Sequence, residues 1–299
     1  MKSSGQITII GVGLIGGSLA SAFSRENIGQ KIVGVDIDLE SLQYALNREI
    51  IDEGFSDIRE GIEKADLIII AVPVGNITSI LDDIKDHARE GSLVLDVGSI
   101  KGEVIKQAEV LLTERPDLFF VGGHPMAGSE RKGVGWSDPD IFQDAPFILV
   151  PLNKTPASKM VGLAQIIERI GGRVKVMDGD VHDWQVGYIS HLPHLIAPAL
   201  VNTITRREDH QEIFDLSAGG FRDTTRIAAS QPELWVDICF SNRENLEYIF
   251  DSFLEELFKV KAMLTKEDRE GLFSYFQKAR QLKIELAEEG SDGLINWES

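Results

Sequence analysis

Ile7-Thr8-Ile9-Ile10-Gly11-Val12-Gly13-Leu14-Ile15-Gly16 is a short β-branched run that breaks into a glycine turn and continues as a helical stretch through Leu19, Ala20 and Phe23. Such a run bounded by glycine reads as a buried strand. In the turn that follows, Gly11 permits the tight reversal, Gly13 lets the backbone approach a pyrophosphate, and Gly16 lets helix and strand pack closely. Leu14 and Ile15 complete the turn, and the helix N-terminus behind them faces the phosphates. Asp36 ends the second β-branched run, Lys31 to Val35, where a carboxylate accepts hydrogen bonds from both ribose hydroxyls. Its charge repels a 2′-phosphate, Asp38 adds to that repulsion, and no Arg follows within the turn. NAD is therefore expected over NADP. The glycine pattern alone is weak; the order strand, turn, helix and acid marks a dinucleotide site.

Working outward, further buried runs occur at Leu67 to Val72, Leu93 to Val97, Leu118 to Val121, Phe147 to Val150 and Arg173 to Val176. Amphipathic segments separate most of them, such as Asn76 to Ala88, with Asn76 placed to cap, and Pro156 to Ile170. Strands alternating with helices predict an α/β Rossmann-type domain, a parallel sheet covered on both faces, over residues 1–178. From 179 to 299 the strand signal is gone, and an all-α domain for substrate and dimerisation is expected. Ser230-Gln231-Pro232-Glu233 reads as a capping box and Thr265-Lys266-Glu267-Asp268 as another helix start. Leu246, Ile249, Phe250, Phe253, Leu254, Leu257 and Phe258 form a broad helical stripe whose width suggests a second subunit, hence a homodimer. The acidic tail after Lys283 reads as a solvated end.

The composition narrows the function classes. Thirty Lys and Arg against 48 Asp and Glu give a net charge of −18 over 299 residues, which opposes binding to nucleic acid or anionic lipid. No apolar run approaches the roughly 20 residues needed to span a bilayer. Cys239 is the one cysteine, so no internal disulfide forms, and the N-terminus lacks the pattern of a secretory leader; a cytoplasmic protein is expected.

In a doubly wound sheet the chemistry gathers beyond the carboxyl ends of the strands. There stand Pro73-Val74 after the third run, which ends at Val72, Gly98-Ser99 after the fourth, and Gly122-Gly123-His124-Pro125 after the fifth; Val72 and Pro73 are expected at the cofactor, with Ser99. A histidine in that place can take a hydroxyl proton as hydride leaves the same carbon, and a serine can orient it. On position alone, a loop histidine satisfied by backbone is an equal reading for His124. The helical half adds His191 and His194, and a cluster with Arg222 and Arg226. Two arginines among Gly and Thr in an acidic protein suggest a carboxylate site, although salt bridges to Asp223 or Asp215 are the plainer account of Arg222. The histidine pair has no third-ligand signature, so no metal is expected.

Five segments together resemble the prephenate dehydrogenase family, which is grouped with arogenate and cyclohexadienyl dehydrogenases. They are Gly11 to Ser18, Asp96 to Gly102, Gly123 to Gly128, Ser190 to His194 and Gly220 to Arg226, in family order. The resemblance implies a Rossmann-type domain, a helical dimerisation domain, and NAD-dependent oxidative decarboxylation of prephenate to 4-hydroxyphenylpyruvate in tyrosine biosynthesis. It implies His124 as the catalytic histidine with Ser99 assisting, Arg226 on a substrate carboxylate, and His191 and His194 near substrate and nicotinamide. Glu130 matches an acidic residue that helps order the pocket in some members. Both His191 and His194 are read as donors to an α-keto acid, which favours prephenate over arogenate.

Two rivals are distinguishable. β-Hydroxyacid dehydrogenases share the layout but resemble one another in using a lysine of the helical domain, and no Lys lies between Lys175 and Lys259. A non-catalytic NAD(H) sensor would need no paired His and Arg at the cleft.

Overall fold

A computed structural model describes residues 5–129, 131–152 and 155–291 of the chain. Its strands are β1 (Gln6–Ile10), β2 (Lys31–Val35), β3 (Glu53–Phe55), β4 (Ala65–Ile70), β5 (Leu93–Asp96), β6 (Phe119–Pro125), β7 (Pro146–Pro151) and β8 (Arg173–Val176). They form one sheet in the order β3-β2-β1-β4-β5-β6-β7-β8. The order reverses between β1 and β4, where a cleft opens beyond the strand ends.

Period-two alternation decides which face each residue covers. Leu67 and Ile69 of β4 join Ile7, Ile9, Leu19, Phe23 and Leu95 in one buried cluster. Ile68 and Ile70 join Ile10, Ile84, Val94, Val104 and Phe120 in the other. Helices thus cover both faces, and a run such as Leu67 to Ile70 is apolar throughout instead of alternating.

The sheet departs from the expected parallel arrangement in one place. β6 and β7 pair antiparallel, while β7 and β8 pair parallel, so the last two strands run against the other six. That pairing carries β6 on through Gly122↔Val150, His124↔Ile148 and Pro125↔Phe147. His124 therefore stands in a strand, not in the loop after one. The edge strand β3 had no counterpart among the sequence-based strands, being three residues long and carrying Glu53 and Gly54.

From Gly179 onward the described residues form helices and short turns only. Three expected helix starts differ in detail. Asn76 occupies the cap position of helix Ile77–His87 but makes no side-chain capping bond. Helix Pro232–Ser241 begins on its proline, with Gln231 extended in the cap position and no side-chain cap, so Ser230 stands one residue too early to cap it. Thr265 ends helix Arg243–Thr265; the next helix, Arg269–Ser291, is capped by Asp268, whose Oδ1 accepts from Gly271 N at 2.9 Å. The chain separates into two compact units, residues up to Leu246 and from Glu247 on.

The glycine turn after β1 is tight where the sequence requires it. Gly11 has φ +93°, and a Cβ there would stand 2.5 Å from Ala71 O; at Gly16 it would stand 1.9 Å from Gly11 O. At Gly13 nothing lies within 4 Å of the Cβ position. Gly16→Ala is therefore expected to cost about 3 kcal/mol or more of stability, as backbone cannot yield to the methyl. Gly13→Ala is expected to cost about 1 kcal/mol at most, as an exchange at a helix cap. Urea unfolding of the two variants checks this; equal losses would contradict the turn as described.

Candidate active site

A cavity of about 640 Å³ lies beyond the strand ends in the larger unit. Gly13, Leu14, Ile15, Val72 and Pro73 line it on the side of the glycine turn, followed by Ser99, His124 and the stretch Met126–Ser129. Ser190, His191, His194, Arg226 and Trp235 line it from the helices. Most of the expected site residues thus share one wall. Gly11 and Gly16 shape the turn beneath it. Glu130 falls outside the described residues.

The turn side suits a dinucleotide. Helix Leu14–Arg25 has no side-chain cap and no acidic residue in its first turn, so its leading N–H groups are open to an anion. The open side of Gly13 leaves space for phosphates to approach. Asp36 is not part of the cavity wall. It holds the turn instead: its Oδ2 accepts from Val12 N at 2.8 Å and its Oδ1 from Asp38 N at 2.9 Å. Each carboxylate oxygen keeps acceptor capacity for a ribose hydroxyl.

The opposite side rests on two buried carboxylates. Lys101 and Asp96 are both fully buried and form an ion pair through Nζ and Oδ2. Burial pushes the Asp96 carboxyl up and the Lys101 ammonium down, and what supports the pair is the mutual attraction plus donation to Asp96 from Gly98 N at 3.0 Å and Gly123 N at 3.3 Å. This ties the end of β5 to β6 just before His124.

Asp183 is the second. Helix Gly102–Glu114 has no capping side chain of its own, since Lys101 occupies the cap position. Asp183 supplies the missing acceptor from far along the chain: its Oδ1 accepts from Lys101 N at 2.8 Å and its Oδ2 from Gly102 N at 2.7 Å. The Oδ1 atom also meets His182 Nδ1 at 2.8 Å, and His182 Nε2 meets His124 Nδ1 at 2.8 Å. An Asp183–His182–His124 chain, buried throughout, thus ends in the cavity wall.

A carboxylate oxygen can only accept, so His182 Nδ1 carries the proton that faces Asp183 Oδ1. With that proton on Nδ1, His182 can accept at Nε2 from His124 Nδ1–H, which leaves His124 Nε2 with a lone pair. Burial, above all, and then the neighbouring His182, Lys101 and His191 hold the His124 imidazole well below its ordinary pKa.

One of the two helical histidines, His194, differs from expectation. Helix Gly179–Val186 passes into a π-turn, Gly187–His191, and then into helix Leu192–Thr205, where Pro193 lacks the N–H that a regular turn would need. His194 Nδ1 donates to Ser190 O at 2.8 Å, and its ring stacks on Trp235 with centroids 3.5 Å apart. A neutral His194 therefore has no N–H left for a ligand, and the donor expected there is absent. Burial lowers its pKa, with the Ser190 carbonyl opposing and Arg226 adding to the shift. His191 is fully enclosed, and its Nε2 has no protein partner.

Arg226 follows helix Gly219–Thr225 at the start of a 3₁₀ turn and sits exposed at the lip of the cavity. Arg222 points elsewhere and donates to Ser217 O at 3.2 Å, in place of either expected salt bridge. Among the described residues no group of three His, Cys, Asp or Glu side chains is placed to hold a metal ion.

Sequence reasoning missed His182, Asn242, Trp235 and the structural part played by Lys101. The one available signal was the acidic-basic pair His182-Asp183 at the entry to the helical half, and a solvated helix start gives the same signal.

Comparison with known proteins places this geometry. Residues 19–176 match the nucleotide-binding domain of prephenate dehydrogenase and residues 178–278 its dimerization domain. Prephenate dehydrogenase of Bacillus subtilis is 36% identical over 279 residues, covering 93% of this chain and 75% of that protein. Cyclohexadienyl dehydrogenase of Zymomonas mobilis is 33% identical, covering 94% and 95%. The crystal structure of prephenate dehydrogenase from A. aeolicus in complex with hydroxyphenyl propionate and NAD+ superposes with a TM-score of 0.87 at 34% identity, covering 94% of this chain and 98% of that one. With both halves matched in order, the chain belongs to the prephenate dehydrogenase family.

Proposed function

We propose that this chain oxidatively decarboxylates prephenate to 4-hydroxyphenylpyruvate with NAD+, a step of tyrosine biosynthesis, and that His124 is its base. The observation that carries the reading is the Asp183–His182–His124 chain, which ends at a lone pair in the cavity that also contains the open glycine turn. Family membership and the A. aeolicus complex support the reaction and the cofactor.

The residues divide the work. His124 Nε2 accepts the proton of the ring hydroxyl, and the positive charge it gains is shared through His182 toward the Asp183 carboxylate. Ser99 orients the same hydroxyl. Bound NAD+, held by Gly11 to Gly16, Val72 and Pro73 with Asp36 at the ribose, supplies the acceptor for the hydride that leaves the carbinol carbon. The ring carboxylate departs as CO2, the electrons of its bond to the ring complete the aromatic system, and the ring oxygen takes back the proton from His124 to give the phenol. Arg226 pairs with a substrate carboxylate at the lip, and its exposure there keeps that pairing from stabilising the ground state too strongly.

Along the sequence we assign residues 1–178 to the cofactor and 179–299 to substrate and dimerisation, a division that follows the two domain matches and differs from the compact units, which part after Leu246. A homodimer is supported by the dimerization-domain match and by the exposure of Leu257, Phe258, Leu264, Phe273 and Phe276. No helix among the described residues is long and apolar enough to cross a membrane, and with one cysteine the enzyme suits the cytoplasm. Arogenate is the second substrate to compare, given the cyclohexadienyl dehydrogenase relative. Steady-state rates with both substrates and with NAD+ and NADP+ test the reading; an enzyme that turns over neither substrate overturns it.

Three variants and one profile sharpen the test. His124→Asn is expected to bind NAD+ normally while turnover falls about 10²–10⁴-fold, the usual worth of a positioned base. His182→Leu is expected to lose about tenfold or more in turnover with NAD+ affinity unchanged, because the His124 tautomer is no longer fixed. Arg226→Gln is expected to raise the KM for prephenate about tenfold, the 1.4 kcal/mol of a partly solvated charge pair, with little change for NAD+. Because His124 is held below its ordinary pKa, the base is already neutral at pH 6.5. The acid limb of kcat/KM is therefore expected well below pH 6.5, and a limb centred at or above that value would place the base elsewhere.

A further inference from the structure

Asn242 closes helix Pro232–Ser241 and is 4% exposed, which is rare for an amide that serves only as a helix end. Its Nδ2 lies 2.8 Å from the Asp183 carbonyl oxygen and 3.0 Å from His191 Nδ1, and its Oδ1 accepts from Asn245 Nδ2 at 2.8 Å. The orientation of this amide is settled by its partners. A carbonyl oxygen can only accept, so the NH2 end must face Asp183, and the oxygen end must face Asn245. Both Nδ2 hydrogens are then spoken for, and His191 Nδ1 has to be an acceptor.

A neutral imidazole that accepts at Nδ1 carries its proton on Nε2. Burial holds the His191 pKa down to about 4, with the Asp183 carboxylate opposing and the neighbouring His182 and His194 adding to the shift, so the ring is neutral at ordinary pH. Its Nε2 is the one buried side-chain nitrogen or oxygen among the described residues without a hydrogen-bond partner. A buried N–H left unpaired costs about 1–3 kcal/mol, so a position that keeps one needs a reason. His191 is in the wall of the cavity, with Trp235 edge-on to it at 6.0 Å between centroids.

We infer that Asn242 is a positioning residue that locks His191 as an Nε2–H donor, and that this donor is completed by an oxygen acceptor of the bound ligand, the side-chain keto acid of the substrate or the carboxamide of the cofactor. This deepens the reading of the site given above and rests on it for the identity of the ligands. The cavity then presents neutral imidazoles of opposite sense: His124 and His194 accept at Nε2, and His191 donates. An α-keto acid offers only acceptors where an α-amino acid offers an ammonium, so the locked donor discriminates between the two side chains without any charge of its own.

The test has a spectroscopic arm and a kinetic arm. In protein labelled with 15N-histidine, with His191→Gln used for assignment, long-range proton–nitrogen spectra of the wild type are expected to show His191 protonated at Nε2 and bare at Nδ1. In Asn242→Ala the same ring is expected to become a mixture of the two tautomers. A wild-type His191 protonated at Nδ1, or a tautomer unmoved by Asn242→Ala, overturns the proposal, whatever the enzyme turns over. Kinetically, Asn242→Ala and His191→Leu are each expected to raise one KM about tenfold with a smaller change in kcat, and His191→Gln, which keeps an N–H donor, is expected to recover most of the loss. A rise confined to prephenate assigns the acceptor to the substrate, and one confined to NAD+ assigns it to the carboxamide. No rise in either overturns the proposal. Absence of turnover in the wild type would instead defeat the reading of the reaction, with the tautomer still measurable in the unliganded protein.

Discussion

The carboxylate of Asp183 is the point on which the catalytic edge of the molecule depends. It satisfies two backbone N–H groups at the start of helix Gly102–Glu114, a terminus with no cap of its own, and it also fixes His182. A buried carboxylate with three donors is in balance, whereas the same group with one donor removed is a costly defect. The structural and chemical duties therefore cannot be separated: what anchors the helix also determines which nitrogen of His124 faces the cavity. The Asp183 backbone carbonyl extends the same logic to Asn242 and, through it, to His191.

The sheet contributes rigidity in a similar way. β6 continues beyond its parallel neighbour because β7 comes back antiparallel beside it, and the extra rungs include His124. Asp96 reaches across to Gly123 N and is itself held by the buried Lys101 ammonium. A side chain carried on a doubly supported strand loses little entropy in taking up a fixed geometry, which is the condition for efficient positioning.

The fold was legible in the sequence because its signals are local. A β-branched run, a glycine turn and an amphipathic helix each lie within a dozen residues, and Gly11 and Gly16 are required by contacts that the turn makes with itself and the neighbouring strand. That His124, Ser99, Val72 and Pro73 line one cavity was legible for a related reason: strand ends are easy to place, and clefts open beyond them. The direction of β7 was not, since a buried run reads the same in either sense. His182 and Asn242 were hidden more deeply. Their meaning lies in partners 58 and 51 residues away, and a polar residue on a helix gives no hint of whether it meets water or a buried histidine. The capping box at Ser230 failed because Pro232 takes the first helical position, which puts Gln231 and not Ser230 at the cap.

The antiparallel return of β7 has a consequence for how such an enzyme can change over time. The chain leaves β6 at Pro125 and re-enters at Pro146 on the same edge of the sheet, and the two ends are pinned together by Met126 N donating to Pro146 O at 2.8 Å. The excursion between them supplies Met126 to Ser129 and Gly133 to the cavity wall. Its later part is fixed by the core, where Val134 and Phe142 are buried and Asp138 N donates to Ser18 Oγ at 2.9 Å, but the stretch before Val134 lies between fastened points, so residues can be gained, lost or exchanged there while the register of every strand stays as it was. Substrate scope can therefore drift by mutation in this stretch while the machinery for proton and hydride transfer, built on other elements, is inherited unchanged.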